Sequence, residues 1–92
     1  MSNFNQLSPA EITLYGVSWC PDCRRAKRVF AELQANFVEI DIDADEKAAE
    51  FVKQVNRGNR SVPTIIFPDG TSLTEPDNTT LAAKIAQFQK TA

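Results

Sequence analysis

At 92 residues the chain is sized for one domain, because dividing it would leave each half too short to bury a sufficient core unaided. Hydrophobic residues make up 42% and charged residues 24%, a globular mixture that is neither polar enough for disorder nor repetitive enough for a fibre. Ten Lys plus Arg against twelve Asp plus Glu leave a net charge of −2 and no bulk attraction to nucleic acid or acidic membrane, while the absence of histidine excludes Ser-His-Asp triads, Cys-His pairs and imidazole metal sites.

Met1 to Ala10 reads as a flexible polar tail without the basic start and apolar run of a secretory signal. The expected compartment is therefore the cytoplasm, and the folded domain is expected over residues 11–92. Ile12 and Leu14 alternate with Thr13 and Tyr15 up to Gly16, which predicts a strand opening into a loop. From Pro21, a residue tolerated in the first helical turn, Cys23, Ala26, Val29 or Phe30, and Leu33 recur at helical spacing. Arg24, Arg25, Lys27 and Arg28 between them read as a solvated helix face. From 37 to 43, Val38, Ile40 and Ile42 alternate with Glu39, Asp41 and Asp43, predicting a second strand with a solvated acidic side.

Asp43 and Glu46 have the spacing of a capping box, and Ala48, Phe51, Val52 and Val55 supply the buried stripe of a second helix ending near Gly58. Val62 to Phe67, the longest strongly apolar stretch, predicts a strand and is far too short to span a bilayer. Pro68-Asp69-Gly70 then reads as a tight turn and Thr71 to Thr74 as the returning strand. Asp77 or Asn78 can cap a last helix lined by Leu81, Ile85 and Phe88. The order βαβαββα calls for an α/β domain with a four-stranded mixed sheet flanked by three helices.

Cys20 and Cys23 are the only cysteines. So close a pair in a reducing compartment suits catalysis better than a structural cross-link. Cys-X-X-Cys is also half of a zinc site, which wants four Cys or His ligands. Two cysteines leave that reading only a metal or iron–sulfur site shared across a dimer. The thiolate is the nucleophile, and a free thiol with a pKa of about 8.5 is mostly protonated at neutral pH, so the surroundings must favour the anion. At the start of its helix Cys20 meets unpaired backbone amides and the positive dipole end, with Arg24 one turn on. It is expected to be the exposed attacking sulfur. Cys23 shares the buried stripe and is expected to resolve a mixed disulfide formed on Cys20. Asp22, lying between them, opposes negative charge on sulfur, so Asp22 and Arg24 are the expected modulators of acidity. Trp19 can wall the sulfurs with apolar surface or belong to the core.

Trp19-Cys20-Pro21-Asp22-Cys23 between strand and helix, followed by Ser61-Val62-Pro63 and a hairpin, resembles the glutaredoxins of the thioredoxin fold from Glu11 to about Phe88. More narrowly, Asn56-Arg57-Gly58-Asn59-Arg60-Ser61-Val62-Pro63-Thr64, with Asp69-Gly70-Thr71 and Glu75-Pro76, resembles the mycoredoxin branch, which uses mycothiol in place of glutathione. The resemblance implies a cis Pro63 that sets the Val62 backbone opposite Cys20. It also implies a monomeric thiol–disulfide oxidoreductase without bound cofactor, acting on disulfide-containing or thiolated proteins. A low-molecular-weight thiol, mycothiol or glutathione, would be the co-substrate, held by Trp19, Pro21, Arg60, Val62, Pro63 and the helix-terminal pair Asp77 and Asn78. Val17 stands where glutathione-using members usually carry lysine, and Thr74-Glu75-Pro76 replaces their Gly-Gly, which removes contacts glutathione would use. A flavoprotein reductase is the alternative donor.

Overall fold

The computed structural model describes residues 9–89, so most of the tail expected over 1–10, and the last three residues of the expected domain, lie outside the described residues. Seven elements follow in the expected order: β1 (Thr13–Gly16), α1 (Pro21–Glu32), β2 (Val38–Asp41), α2 (Glu46–Val55), β3 (Thr64–Ile66), β4 (Ser72–Thr74) and α3 (Asn78–Ala86). The sheet runs β2-β1-β3-β4, with β1 parallel to β2 and antiparallel to β3, and β3 antiparallel to β4. The helical crossover through α1 makes the first pair parallel, while the short Pro68–Gly70 turn can only reverse the chain.

Side chains leave β1 alternately to its two faces, and each face has its own core. Ile12 and Leu14 pack with Ala26, Val29 and Phe30 of α1, Ile65 of β3, Phe67 just after it, and Leu81 and Ile85 of α3. Tyr15 and Val17 pack on the other side with Ile42 and with Ala48, Ala49, Phe51 and Val52 of α2, a group that also holds Cys20 and Cys23. Burying a side chain such as Phe30, Leu81 or Ile85, each fully enclosed, stabilises by roughly 1.5–3 kcal/mol.

Two expectations change. Val38 was expected on the buried side of its strand with Ile40 and Ile42, yet it is 42% exposed. It begins an edge strand and lies outside both cores, whereas Ile42, at the other end, reaches the α2 side. The cap of α2 is Asp45 rather than Asp43: Asp45 Oδ1 accepts from the Ala48 N–H at 3.1 Å. Delivering Ile42 to the core requires a turn closed by Ala44 N–H donating to the Asp41 carbonyl at 3.1 Å, which starts the helix two residues later. Of the two candidates for α3, Asp77 is the cap, accepting from the Thr80 N–H at 2.7 Å. Beyond α2, Gly58 takes φ +95 and its N–H donates to the Lys53 carbonyl at 2.6 Å. A Cβ there would meet nothing within 4 Å, so the backbone angle, not crowding, demands glycine.

Candidate active site at Cys20 and Cys23

The last residue before α1 is Cys20, an N-cap with extended backbone (φ −90, ψ 115) whose sulfur takes the role usually given to a Ser or Asp oxygen. Its Sγ accepts from the Cys23 backbone N–H at 3.0 Å. The helix start thus aims a backbone donor at the sulfur. Pro21 occupies the first helical turn, where the missing N–H leaves no partner wanting. On the far side, Cys20 Sγ lies 3.9 Å from the carbonyl oxygen of Val62. The Val62–Pro63 peptide is cis, as the resemblance implied.

The contrast in exposure between the two sulfurs is smaller than helical phase suggested. Cys20 is only 6% exposed and Cys23 1%. Capping explains the difference from expectation, since the sulfur turns back over the helix end to reach the Cys23 amide instead of standing out into solvent. Cys23 sits over β1, where the absence of a side chain at Gly16 makes its room: a Cβ on Gly16 would stand 2.9 Å from Cys23 Sγ. Burial pushes the Cys23 thiol up to about 12, and the neighbouring Cys20 sulfur adds to the rise while Lys27 opposes it. Lys27 is the cation that acts on this thiol. Arg24 Nη1 instead donates to the Ser18 carbonyl at 3.1 Å. Asp22 is neutralised by Arg25, whose Nη2 lies 3.1 Å from its Oδ1.

Trp19 is no part of the core. It is 64% exposed, and its Nε1 donates to Asp43 Oδ2 at 2.9 Å. Arg60 Nη2 donates to the other oxygen of the same carboxylate at 2.7 Å and approaches the Ile42 carbonyl at 3.4 Å. Asp43, expected only as a cap on a solvated face, thereby joins Trp19 to the loop that leads to Pro63. Arg60 and Trp19 hold its carboxyl below the ordinary carboxylate range. No sequence pattern links positions 24 apart, so this role could not be read in advance. Asn78 Oδ1 accepts from Arg25 Nη1 at 2.8 Å, tying the starts of α1 and α3 together. Asp77, beside it, is held below the usual carboxylate range by its bonds to Thr80. Three of the expected binding residues thus fall into two hydrogen-bonded groups, Trp19 and Arg60 meeting on Asp43, and Asn78 sharing Arg25 with Asp22.

Among the described residues no group of three or more His, Cys, Asp or Glu is placed to hold a metal ion, and no helix is long and apolar enough to cross a membrane. The glutaredoxin family model matches residues 12–72. The chain belongs to the glutaredoxin family. This glutaredoxin is 42% identical over 79 residues to a Mycobacterium tuberculosis protein whose name assigns it provisionally to the glutaredoxins, covering 86% of this chain and 94% of that one. It is equally 42% identical over 76 residues to mycoredoxin 1 of Corynebacterium glutamicum, covering 83% and 94%. Among solved structures it resembles a glutaredoxin from Archaeoglobus fulgidus, with TM-score 0.65 and 27% identity over 80% of this chain and 84% of that one. Wheat glutaredoxin, at 24% identity and TM-score 0.67 over 87% and 76%, shares the thioredoxin-like fold. Family membership makes the protein a thiol–disulfide oxidoreductase.

Proposed function

We propose that this glutaredoxin reduces protein disulfides and protein–thiol mixed disulfides through Cys20 as attacker and Cys23 as resolver. The carrying observation is the 3.0 Å bond from the Cys23 amide to Cys20 Sγ, made at a helix start and opposite the Val62 carbonyl. The Cys20 thiolate attacks the target disulfide, forming a Cys20–target bond and expelling the target's other sulfur, which takes a proton. Bonding Cys20 removes the neighbouring sulfur charge that helped hold the Cys23 proton. Cys23 then gives up that proton and attacks Cys20, closing the Cys20–Cys23 disulfide and releasing the second target thiol. Two electrons have passed from the dithiol to the target.

Recharging requires two molecules of a small thiol, the first opening the disulfide and the second displacing it as its own disulfide. We assign that role to mycothiol, on the likeness to mycoredoxin 1 and on Val17 in place of a lysine. A sugar-bearing thiol relies on hydroxyl hydrogen bonds, whereas glutathione forgoes a charge-assisted contact and with it about tenfold or more in affinity. The experiment measures reduction of the mixed disulfide on Cys20 in a Cys23→Ser protein by each thiol, with Asp77→Ala and Arg60→Ala alongside. Mycothiol is expected to be faster. A second donor has an observation in its favour: Arg60, Asp77 and Asn78 are already engaged by Asp43, Thr80 and Arg25. That leaves the exposed Trp19 face for a flavoprotein reductase. Equal rates for both thiols, with turnover restored by thioredoxin reductase and NADPH, would select that donor. On either reading the protein works as a monomer in the reducing cytoplasm.

A further inference from the structure

Asn56 caps the end of α2, and its side chain meets three elements at once. Its Nδ2 donates to the Val52 carbonyl at 2.9 Å and to Thr64 Oγ1 at 3.0 Å, while its Oδ1 accepts from Thr74 Oγ1 at 2.7 Å. Thr64, fully buried, passes the chain on by donating from Oγ1 to the Ser61 carbonyl at 2.8 Å. The network runs from exposed Thr74 through half-buried Asn56 to buried Thr64, and at the buried end a lost partner is costly. The Pro63 carbonyl accepts from the Glu75 N–H at 2.8 Å. Both neighbours of Val62 are thereby tied. Among the described residues the Val62 N–H itself makes no hydrogen bond, and its carbonyl faces Cys20 Sγ.

We propose that Asn56, Thr64 and Thr74 are positioning residues that fix the Val62 backbone as a docking edge, so that the enzyme selects disulfides carrying a peptide amide next to the sulfur. The proposal rests on the reading of Cys20 as nucleophile. An amide-bearing chain can pair with the N–H and C=O of Val62 only while both keep their direction. Rotation of the Ser61–Val62 peptide, which the Thr64 bond to Ser61 prevents, would aim the N–H elsewhere. A disulfide without amides needs none of this and reports on the sulfurs alone.

The pre-reduced protein is mixed with two oxidants, the disulfide of a blocked cysteine peptide and bis(2-hydroxyethyl) disulfide, and its oxidation is followed by Trp19 fluorescence. Thr64→Val keeps the shape and removes the hydroxyl. It should slow the peptide disulfide by about three- to tenfold, the worth of one hydrogen bond, and leave the hydroxyethyl compound unchanged. Thr64→Ser should restore the peptide rate. Thr74→Val, on an exposed strand, should shift the same ratio in the same direction and carries the comparison if Thr64→Val does not fold. Parallel slowing of both oxidants, an unchanged ratio in the folded variants, or failure of serine to restore it would overturn the proposal. Oxidation of a Cys20→Ser protein at the wild-type rate would instead sink the underlying reading.

Discussion

Replacing Gly16 with alanine places a methyl group against the Cys23 sulfur. The new Cβ would stand 2.9 Å from Cys23 Sγ and 3.1 Å from Leu14 Cδ2, both well inside the optimum of about 3.5–4.0 Å. Cys23 and Leu14 are buried at 1% and 0% exposure, so neither can move into solvent. Overpacking of this kind costs about 1–3 kcal/mol, and each kcal/mol lowers Tm by about 4–8 °C in a chain of this size. The Leu14 contact is with a terminal methyl that can turn slightly, and most of the cost should fall on the sulfur. Urea unfolding of the reduced wild type, Gly16→Ala, Cys23→Ala and the double variant measures this. Truncating Cys23 removes the clashing atom, so Gly16→Ala should cost at least about 1 kcal/mol less in that background. If the two substitutions add to within about 0.3 kcal/mol, the methyl is accommodated without touching the sulfur and the assignment of Gly16 is wrong.

Because the folded Cys23 thiol lies far above its ordinary value, the unfolded chain releases that proton first as the solution becomes alkaline. Its contribution to stability is complete below the ordinary thiol range and disappears as pH rises toward 12. The stability of the reduced protein should decline over that window, less steeply in Cys23→Ala, and the Cys23 β-carbon resonance should stay that of a thiol at pH 9. For Asp43, held below the ordinary carboxylate range, the dependence has the opposite sense: its bonds persist above that range and are lost as pH falls through the depressed value. The chain's single Trp provides one indole N–H resonance, which should shift in acid and lose that titration in Asp43→Ala. Asp45→Ala should destabilise α2 by about 0.5–2 kcal/mol, with Asp45→Asn retaining most of the cap. A comparable loss of α2 helicity in Asp43→Ala would return the cap to Asp43.

The period of two in Ile12–Tyr15 and the helical stripe from Cys23 to Phe30 are local patterns imposed by burial, and they made the strands and helices legible. Capping was harder because Asp41, Asp43 and Asp45 alternate, and the choice among them depends on how much chain Ile42 needs to reach the core. Side-chain partners were the least legible. An indole before Cys20 suggests an apolar wall, but only the folded chain brings Asp43 to its N–H. The same applies to Arg60, whose charge suggested a ligand contact and whose guanidinium meets an internal carboxylate. Gly16 looked like the end of a strand, and its need for space follows from a sulfur seven residues later.

Both cores draw on β1, as they do on β3, where Ile65 and Ile66 go to opposite sides. Ile12 and Leu14 serve the α1 and α3 side, Tyr15 and Val17 the α2 side. Removing or inserting one residue between 12 and 17 would exchange the two sets, because a slip by one turns every following side chain to the opposite face. An edge strand could absorb such a change on one side only, as the exposed Val38 illustrates. In the central strand it would strip both layers at once and swing the sulfur-bearing loop out of line. Length variation among natural descendants of this chain should therefore collect in the hairpin and in the segment from Arg57 to Asn59, with the stretch ahead of Cys20 constant in length even where its residue types drift.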